Sequence, residues 1–407
     1  MILCALTLAS IELVSPAMDE TVKLLPECQR AVMANESMSA REAVLKEYRG
    51  GRKERHGSGV WRKSVPMEFK WRATDGEGGP WELLVSKNPD LSDAREFLFN
   101  RAKADKHSGR TEEKGGAGTV SREETLLNLE IGTRYYWRVA GNITCGRFAH
   151  ARNCACRDKR KSSVSETGTF VTEDLAPRWI SVEGKVGNFR DLGGRKGLGG
   201  RRVRQGMIYR SSGLNENSID GVAKGKNRLT VSDVEYLTET LGIRTDLDLR
   251  TDCETAGMRG VSPLGPKISF IHRSSECYEK IFSDSGKKIM AENFRVFCDA
   301  KNYPILFHCI GGADRTGALA YVLNGVLGVS RQELETDWES TFYPRLPGGD
   351  ESENGGHVWN SEWHFNIGFG KYGTADSSWN ERIELYLLDC GITREEIERF
   401  RRIMLEP

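Results

Sequence analysis

One stretch of ten residues, HCIGGADRTG at positions 308–317, constrains the fold of this chain more than any other. It follows an apolar run at 304–307, which is typical of a strand buried on both faces. It leads into residues 316–323, which are apolar almost all round and predict a buried helix. A strand, a tight loop and a helix in this order point free backbone N–H groups and the positive end of a helix dipole at one place. The sequence therefore predicts an anion-binding loop.

Cys309 opens this loop and Arg315 follows it, and together they indicate chemistry on a phosphate group. Backbone N–H groups of residues 310–315 can hold phosphate oxygens if the chain curls, and Gly311 and Gly312 permit that curl. The guanidinium of Arg315 matches two phosphate oxygens at once, which a lysine cannot do. The same positive field favours the thiolate of Cys309, which is the nucleophilic form.

We expect the loop to bind the phosphate through Ile310, Gly311, Gly312, Ala313 and Thr316. The Thr316 hydroxyl is also placed to donate to the sulfur as it leaves phosphorus. The alternative for Cys309 is a buried structural thiol, since free cysteines are among the most buried residues. The arginine, the two glycines and the following helix favour the nucleophile.

These residues resemble the signature loop of the cysteine-dependent protein tyrosine phosphatases, and the full string is most similar to their bacterial tyrosine and lipid (dual-specificity-like) branch, whose loop reads HCxxGKDRTG. Further blocks add to the likeness: GNFRDLGG at 187–194, YRSSGL at 209–214 and DLRTDCE at 248–254. The resemblance implies Cys309, Asp314 and Arg315 as catalytic residues, with Asp314 as the general acid. It implies a reaction that needs neither a metal nor a cofactor.

Two points about the loop stay open. Ala313 stands where the branch has lysine, and the missing cation counts against polyphosphorylated inositides as substrates. Asp314 could instead hold backbone N–H groups, in which case Glu276, Glu279 or Asp284 would supply the proton. The chain has no W-P-D string, so we do not expect the mobile acid loop of the eukaryotic enzymes.

Strands and helices alternate over 176–407, which predicts an α/β phosphatase domain with a central parallel sheet flanked by helices. Ligands of such sheets bind beyond the carboxyl ends of the strands. Arg250 follows a predicted strand at 243–249 and either supports the site or forms a structural salt bridge, and His308 is a second supporting candidate. Aromatic residues in the glycine-rich segment 347–378 either form a rim around a phosphotyrosine ring or pin a long loop.

Short alternating strands over 11–175 predict an all-β sandwich with a helical insertion near residues 27–48. The strings FKWRA, YYWRV and TGTFVTED are similar to fibronectin type III-like domains. Residues 1–10 are apolar and either remain from a secretion signal or begin the first strand. Because phosphatases of this branch with an added β-domain are often exported, we favour a secreted or periplasmic location over a cytoplasmic one.

The formal net charge of +1 gives no bulk field for nucleic acid or an anionic membrane, and no apolar run is long enough to span one. Cys145, His150, Cys154 and Cys156 fit no standard zinc spacing, so a local disulfide or plain thiols are the other interpretations. The oligomeric state stays open.

The sequence thus predicts a phosphoric monoester hydrolase, foremost a protein-tyrosine phosphatase, acting on a phosphorylated protein or a small phosphoester. The alternatives are a phosphoinositide or inositol-phosphate phosphatase and a catalytically silent protein that binds phosphorylated ligands.

Overall fold

The computed structural model describes residues 11–50, 65, 67–73, 81–99, 119–126, 128–141, 163–216, 226–255, 260–341 and 361–407. The chain divides into two compact units: the β unit is Met1–Leu24 with Val65–Asp174, and the α/β unit is Leu25–Ser64 with Leu175–Pro407. The possible signal segment 1–10, the cysteine cluster at 145–156 and Trp359 lie outside the described residues. No helix in the described ranges combines the length and the apolar character that a membrane crossing requires.

The β unit contains two sheets, with strand orders β1-β3-β6 and β2-β9-β7-β4-β5, and β8 pairs with β7. Aromatic side chains join them, because Phe69 meets Trp137 edge to face with ring centroids 5.0 Å apart. The alternating pattern predicts strands at 65–73, 81–86 and 133–140, and the structure has strands at Met67–Ala73, Trp81–Ser86 and Arg134–Gly141. The pattern does not predict the strand Arg95–Phe99. The strands are β1 (Ile11–Ser15), β2 (Glu20–Val22), β3 (Met67–Ala73), β4 (Trp81–Ser86), β5 (Arg95–Phe99), β6 (Thr119–Leu126), β7 (Arg134–Gly141), β8 (Ser163–Val164) and β9 (Gly168–Thr172).

The α/β unit is built on one six-stranded sheet of order β10-β11-β12-β15-β13-β14. The last four strands in this order are parallel, as the alternation of strands and helices predicts. The sheet as a whole is mixed, because two short strands at one edge extend the predicted central parallel sheet in antiparallel pairing. Its strands are β10 (Arg178–Trp179), β11 (Arg190–Asp191), β12 (Ile208–Ser211), β13 (Thr245–Asp248), β14 (Ser269–His272) and β15 (Ile305–His308).

Helices cover both faces of this sheet. Ile305 and Phe307 of β15 face one apolar core, and Leu306 between them faces the other, as the alternation of a strand requires. The helices are α1 (Glu27–Met33), α2 (Met38–Gly50), α3 (Val231–Glu235), α4 (Asp252–Thr255), α5 (Asp284–Phe297), α6 (Asp314–Val326), α7 (Arg331–Ser340), α8 (Ser361–Phe369), α9 (Trp379–Asp389) and α10 (Arg394–Met404). Three-residue to five-residue 3-10 turns lie at Leu198–Gly200, Tyr278–Phe282 and Ala300–Asn302, and one π-helical turn lies at Tyr236–Thr240.

Side chains cap the starts of several helices. The Thr393 hydroxyl accepts from the N–H of Glu396, and the Glu396 carboxylate accepts from the N–H of Thr393. The Ser330 hydroxyl likewise accepts from the N–H of Glu333 at the start of α7. Each side chain satisfies a donor that the helix itself cannot.

Part of the segment that we expected to be a glycine-rich loop is helix α8. Its Phe365 and Phe369 are fully buried and stack on Tyr321 of α6, with ring centroids 4.5 and 6.1 Å away. These two rings therefore pin the segment and do not form a rim around a ligand. Burial of the aromatic face outweighs the low helix propensity of its glycine.

Helices α1 and α2 belong to the α/β unit, although the sequence boundary of 11–175 places them with the β strands. Arg41 of α2 is fully buried and pairs with Glu339 of α7 through two hydrogen bonds of 2.6 and 2.8 Å. Gln29 of α1 accepts a 2.9 Å hydrogen bond from the indole of Trp179. These polar contacts attach α1 and α2 to the α/β unit. The pattern of apolar residues in the two helices does not show which unit they pack on.

Candidate active site

The predicted loop, residues 309–313, lies between β15 and α6. Cys309 is 3% exposed, and it follows His308 at the carboxyl end of the central strand. Gly312 has a φ of +64°, and a Cβ atom there would lie 2.4 Å from the carbonyl oxygen of Ser211. Only glycine fits both the left-handed backbone and the close approach of β12.

Hydrogen-bond donors from other parts of the chain bind two carbonyl groups of the loop. The oxygen of Gly312 accepts 2.6 and 2.7 Å hydrogen bonds from Arg210 and Asn188, and that of Ile310 accepts a 2.9 Å bond from the N–H of Gly213. In a trans peptide the carbonyl and the following N–H point in opposite directions. The N–H groups of Gly311 and Ala313 are therefore directed away from these three donors, into the loop, as anion binding requires.

The buried carboxylate of Asp337 holds Arg210, the arginine that binds the loop, in place. Asp337 of α7 lies 2.7 Å from Arg210, 2.9 Å from Arg190 and 3.0 Å from Arg195. Burial alone would raise the pKa of Asp337, but the three guanidinium groups hold that pKa far below its usual range. Arg190 also donates to the side-chain oxygen of Asn188 at 2.5 Å, which leaves the amide nitrogen of Asn188 to donate to the loop.

Arg315 lies in the first turn of α6 and is paired with Glu254 of α4. The carboxylate accepts from both terminal nitrogens of the guanidinium, at 2.6 and 3.0 Å. Burial lowers the pKa of Arg315, but Glu254 and a charge on Cys309 raise it more, so the side chain stays charged. A guanidinium has five N–H donors, so Nε–H and one terminal N–H remain on the edge that suits two phosphate oxygens.

Asp314 begins α6, and its carboxylate accepts a hydrogen bond from the hydroxyl of Tyr278. The alternative acids lie elsewhere: Glu279 is largely exposed and 3.5 Å from His364, and Asp284 is exposed and lines a surface cavity between α5 and α9. Glu276 is half-buried and precedes Cys277, whose pKa burial and the Asp314 carboxylate raise to about 11.

His308 and Arg250 are structural neighbours of the site. The His308 ring lies 3.0 Å from Asp246 without hydrogen-bond geometry, and Arg250 binds Asp248 at 2.6 Å and Asn215 at 2.8 Å. Burial opposes charge on His308, but Asp248 and Asp246 raise its pKa. Of the two interpretations for Arg250, the structure shows the salt bridge.

Thr316 is fully buried, and its hydroxyl has no hydrogen-bond partner within the described residues. Donation from this hydroxyl to the Cys309 sulfur as it leaves phosphorus stays a prediction. The same ranges contain no group of three His, Cys, Asp or Glu side chains that could hold a metal ion.

Residues 180–346, which include the whole loop, match the model of the tyrosine phosphatase family. A candidate tyrosine-protein phosphatase of Cupriavidus necator is 29% identical over 192 residues, which are 39% of this chain and 64% of that relative. The chain thus spans less than two thirds of the length of this relative. Residues 180–346 thus form a domain whose sequence is similar to the tyrosine phosphatase family.

Two solved structures also match in part. The core catalytic domain of the PP-IP phosphatase Siw14 from S. cerevisiae, in complex with citrate, shares 18% identity with a TM-score of 0.25 and covers 35% of this chain and 74% of that one. A second structure of the Siw14 catalytic core shares 17% identity with a TM-score of 0.23, covering 34% and 71%.

Proposed function

We propose that this chain is a phosphoric monoester hydrolase of the protein-tyrosine phosphatase type. The loop geometry supports this proposal. Because the carbonyl group of Gly312 is bound by Arg210 and Asn188, the backbone N–H groups of the loop are left to bind a ligand beside Cys309. Arg315, which uses two of its N–H groups on Glu254, adds its remaining N–H groups to these donors. A tetrahedral oxyanion with several acceptor oxygens is the ligand that such an array of donors suits.

The reaction takes two steps. The Cys309 thiolate attacks phosphorus, so that an S–P bond forms while the bond to the leaving oxygen breaks, and Asp314 transfers its proton to that oxygen. Water then attacks phosphorus and the S–P bond breaks, while the Asp314 carboxylate takes the proton from water. Inorganic phosphate leaves and the thiolate is restored, with Arg315 and the loop N–H groups binding the phosphoryl oxygens throughout.

Charge around the loop favours a substrate with one phosphate. Glu254 and Asp314 lie beside Arg315, Glu276 lies just before Tyr278, and Ala313 adds no charge where the resembling branch has lysine. A polyphosphorylated inositide would need further cations to offset its own charge. We therefore propose phosphotyrosine in a protein as the substrate, ahead of inositides.

A substrate panel tests this choice. A phosphotyrosine peptide should show the highest kcat/KM when it is measured beside a phosphoserine peptide, inositides and small phosphoesters under the same conditions. Higher kcat/KM for an inositide would replace the proposed substrate class. No turnover of any of them would instead support a silent phospho-ligand binder.

The Asp314→Asn variant should respond to the leaving group. An amide cannot protonate the departing oxygen, so kcat for an alkyl phosphate should fall by about 10²–10⁴-fold, the usual contribution of a general acid. The fall should be much smaller for p-nitrophenyl phosphate, whose leaving group departs without a proton. An equal loss for both substrates would assign the proton to another group, of which Glu276 is the first to test.

For the β unit we propose a fibronectin type III-like sandwich. The two sheets and the edge-to-face pairs of Phe69 with Trp137 and Phe170 support this fold. We keep the proposal of a secreted or periplasmic location, which N-terminal sequencing of the native protein would test.

A further inference from the structure

We propose that Tyr278 is a positioning residue for proton transfer: its hydroxyl holds one oxygen of the Asp314 carboxyl group and so fixes the orientation in which that group exchanges its proton. This inference rests on the proposed phosphatase function, which it deepens. Sequence patterns do not indicate Tyr278, because it belongs to none of the blocks that carry the resemblance.

The backbone of Tyr278 adopts an uncommon conformation. Tyr278 begins a 3-10 turn with a φ of +54°, in the left-handed region that side chains with a Cβ atom rarely occupy. Such residues persist where the surrounding structure holds them, and they concentrate at functional sites. Here the ring packs on His364 of α8, with centroids 4.2 Å apart, and meets Trp338 of α7 at 6.1 Å.

The hydroxyl of Tyr278 acts as a donor to Asp314. Its Oη atom donates to Oδ1 of Asp314, and an ionised carboxylate can only accept. Burial, and then the bond to Asp314, raise the pKa of Tyr278 far above its ordinary value, so the hydroxyl keeps its proton in any ordinary assay.

Other charged or titratable groups face this pair from several elements. Burial lowers the pKa of His364 of α8, while the carboxylate of Glu279 and, to a smaller extent, that of Asp314 oppose this shift. Cys277 precedes Tyr278, Cys309 and Arg315 approach from the loop and α6, and Lys280 and Glu276 lie on the same polar segment. All of them remain in a Tyr278→Phe variant, so a change in that variant reports on the hydroxyl.

The test compares Tyr278→Phe with Tyr372→Phe. Tyr372 also donates to an aspartate, Asp389 of α9, at 2.8 Å, and its ring meets Tyr386 of the same helix. In Tyr278→Phe we expect kcat for an alkyl phosphate to fall about tenfold and kcat for p-nitrophenyl phosphate to stay within about twofold, because only the first needs a directed proton. Tyr372→Phe should change neither.

The pH profile gives a second measurement. A hydrogen bond to the carboxylate stabilises its ionised form, so the carboxyl group without that bond should keep its proton to higher pH. The descending limb of kcat against pH should therefore move up by about one pH unit in Tyr278→Phe. A merely structural tyrosine would leave this limb in place.

Two outcomes distinguish a failure of the role proposed for Tyr278 from a failure of the proposed phosphatase mechanism. If Asp314→Asn depends on the leaving group but Tyr278→Phe matches the unchanged enzyme in both rate and pH profile, Tyr278 does not position the acid and the phosphatase proposal stands. If Asp314→Asn itself shows no dependence on the leaving group, the role of Asp314 fails first.

Discussion

The Cys309→Ser variant is expected to lose phosphatase turnover almost completely, by about 10⁴-fold or more in kcat. A serine hydroxyl is not ionised near neutral pH, so the donors of the loop would surround a group that cannot attack phosphorus. The change is nearly isosteric and Cys309 is buried, so the fold should persist. The measurement is kcat for p-nitrophenyl phosphate, with stopped assays long enough to detect the residual rate.

Orthovanadate or phosphate binding provides the control, since Cys309→Ser keeps Arg315 and every backbone donor of the loop. Protection against thermal unfolding by phosphate should therefore survive the substitution. Turnover that persists in Cys309→Ser, or that a chelator abolishes in the unchanged protein, would contradict a metal-independent cysteinyl-phosphate mechanism.

The Arg315→Lys variant should lower kcat/KM by about 10²–10³-fold, which is the usual effect of removing one donor to a developing oxyanion. A lysine keeps the charge but lacks the planar fork, so it cannot bind two phosphoryl oxygens while it also pairs with both oxygens of Glu254. The loss should appear in kcat more than in KM, because the fork matters most as the phosphoryl group becomes planar.

Arg295→Lys is the matched control for this variant. Arg295 of α5 also pairs with a glutamate, Glu396 at 2.8 Å, but on the exposed surface between α5 and α10. We expect it to keep full activity, as exposed pairs contribute little. If Arg315→Lys stays within threefold of the unchanged enzyme, groups other than Arg315 bind the phosphoryl oxygens.

The sequence predicts the loop and the start of the following helix well, because the residues that form them are neighbours along the chain. Residues 309–316 are consecutive, so spacing alone places Cys309 in the loop before one helix and Arg315 in the first turn of that helix. The buried strand and helix on either side are equally local, and both are present where the apolar runs predict them.

The support behind the loop escapes sequence reasoning because it comes from distant parts of the chain. Asn188, Arg210 and Glu254 lie inside blocks that carry the resemblance, but nothing in their spacing shows that they meet residues 309–315. The available signal is that Arg210 sits in an otherwise apolar strand, where a charge needs a buried partner. That partner, Asp337, lies on a helix far along the chain and becomes identifiable only from the fold.

The buried pairing of Arg41 with Glu339 bears on where a working enzyme can be trimmed. The family match begins at residue 180, so a shortened chain starting there would look self-sufficient by homology. It would nevertheless lack Arg41, whose guanidinium pairs with Glu339, and Trp179, whose indole donates a hydrogen bond to Gln29. The buried carboxylate of Glu339 would then lose both of its hydrogen bonds from Arg41, and Glu339 lies on α7, the helix whose Asp337 pairs with Arg210. The α/β unit is consequently discontinuous in sequence, because Val65–Asp174 of the β unit separates its two pieces.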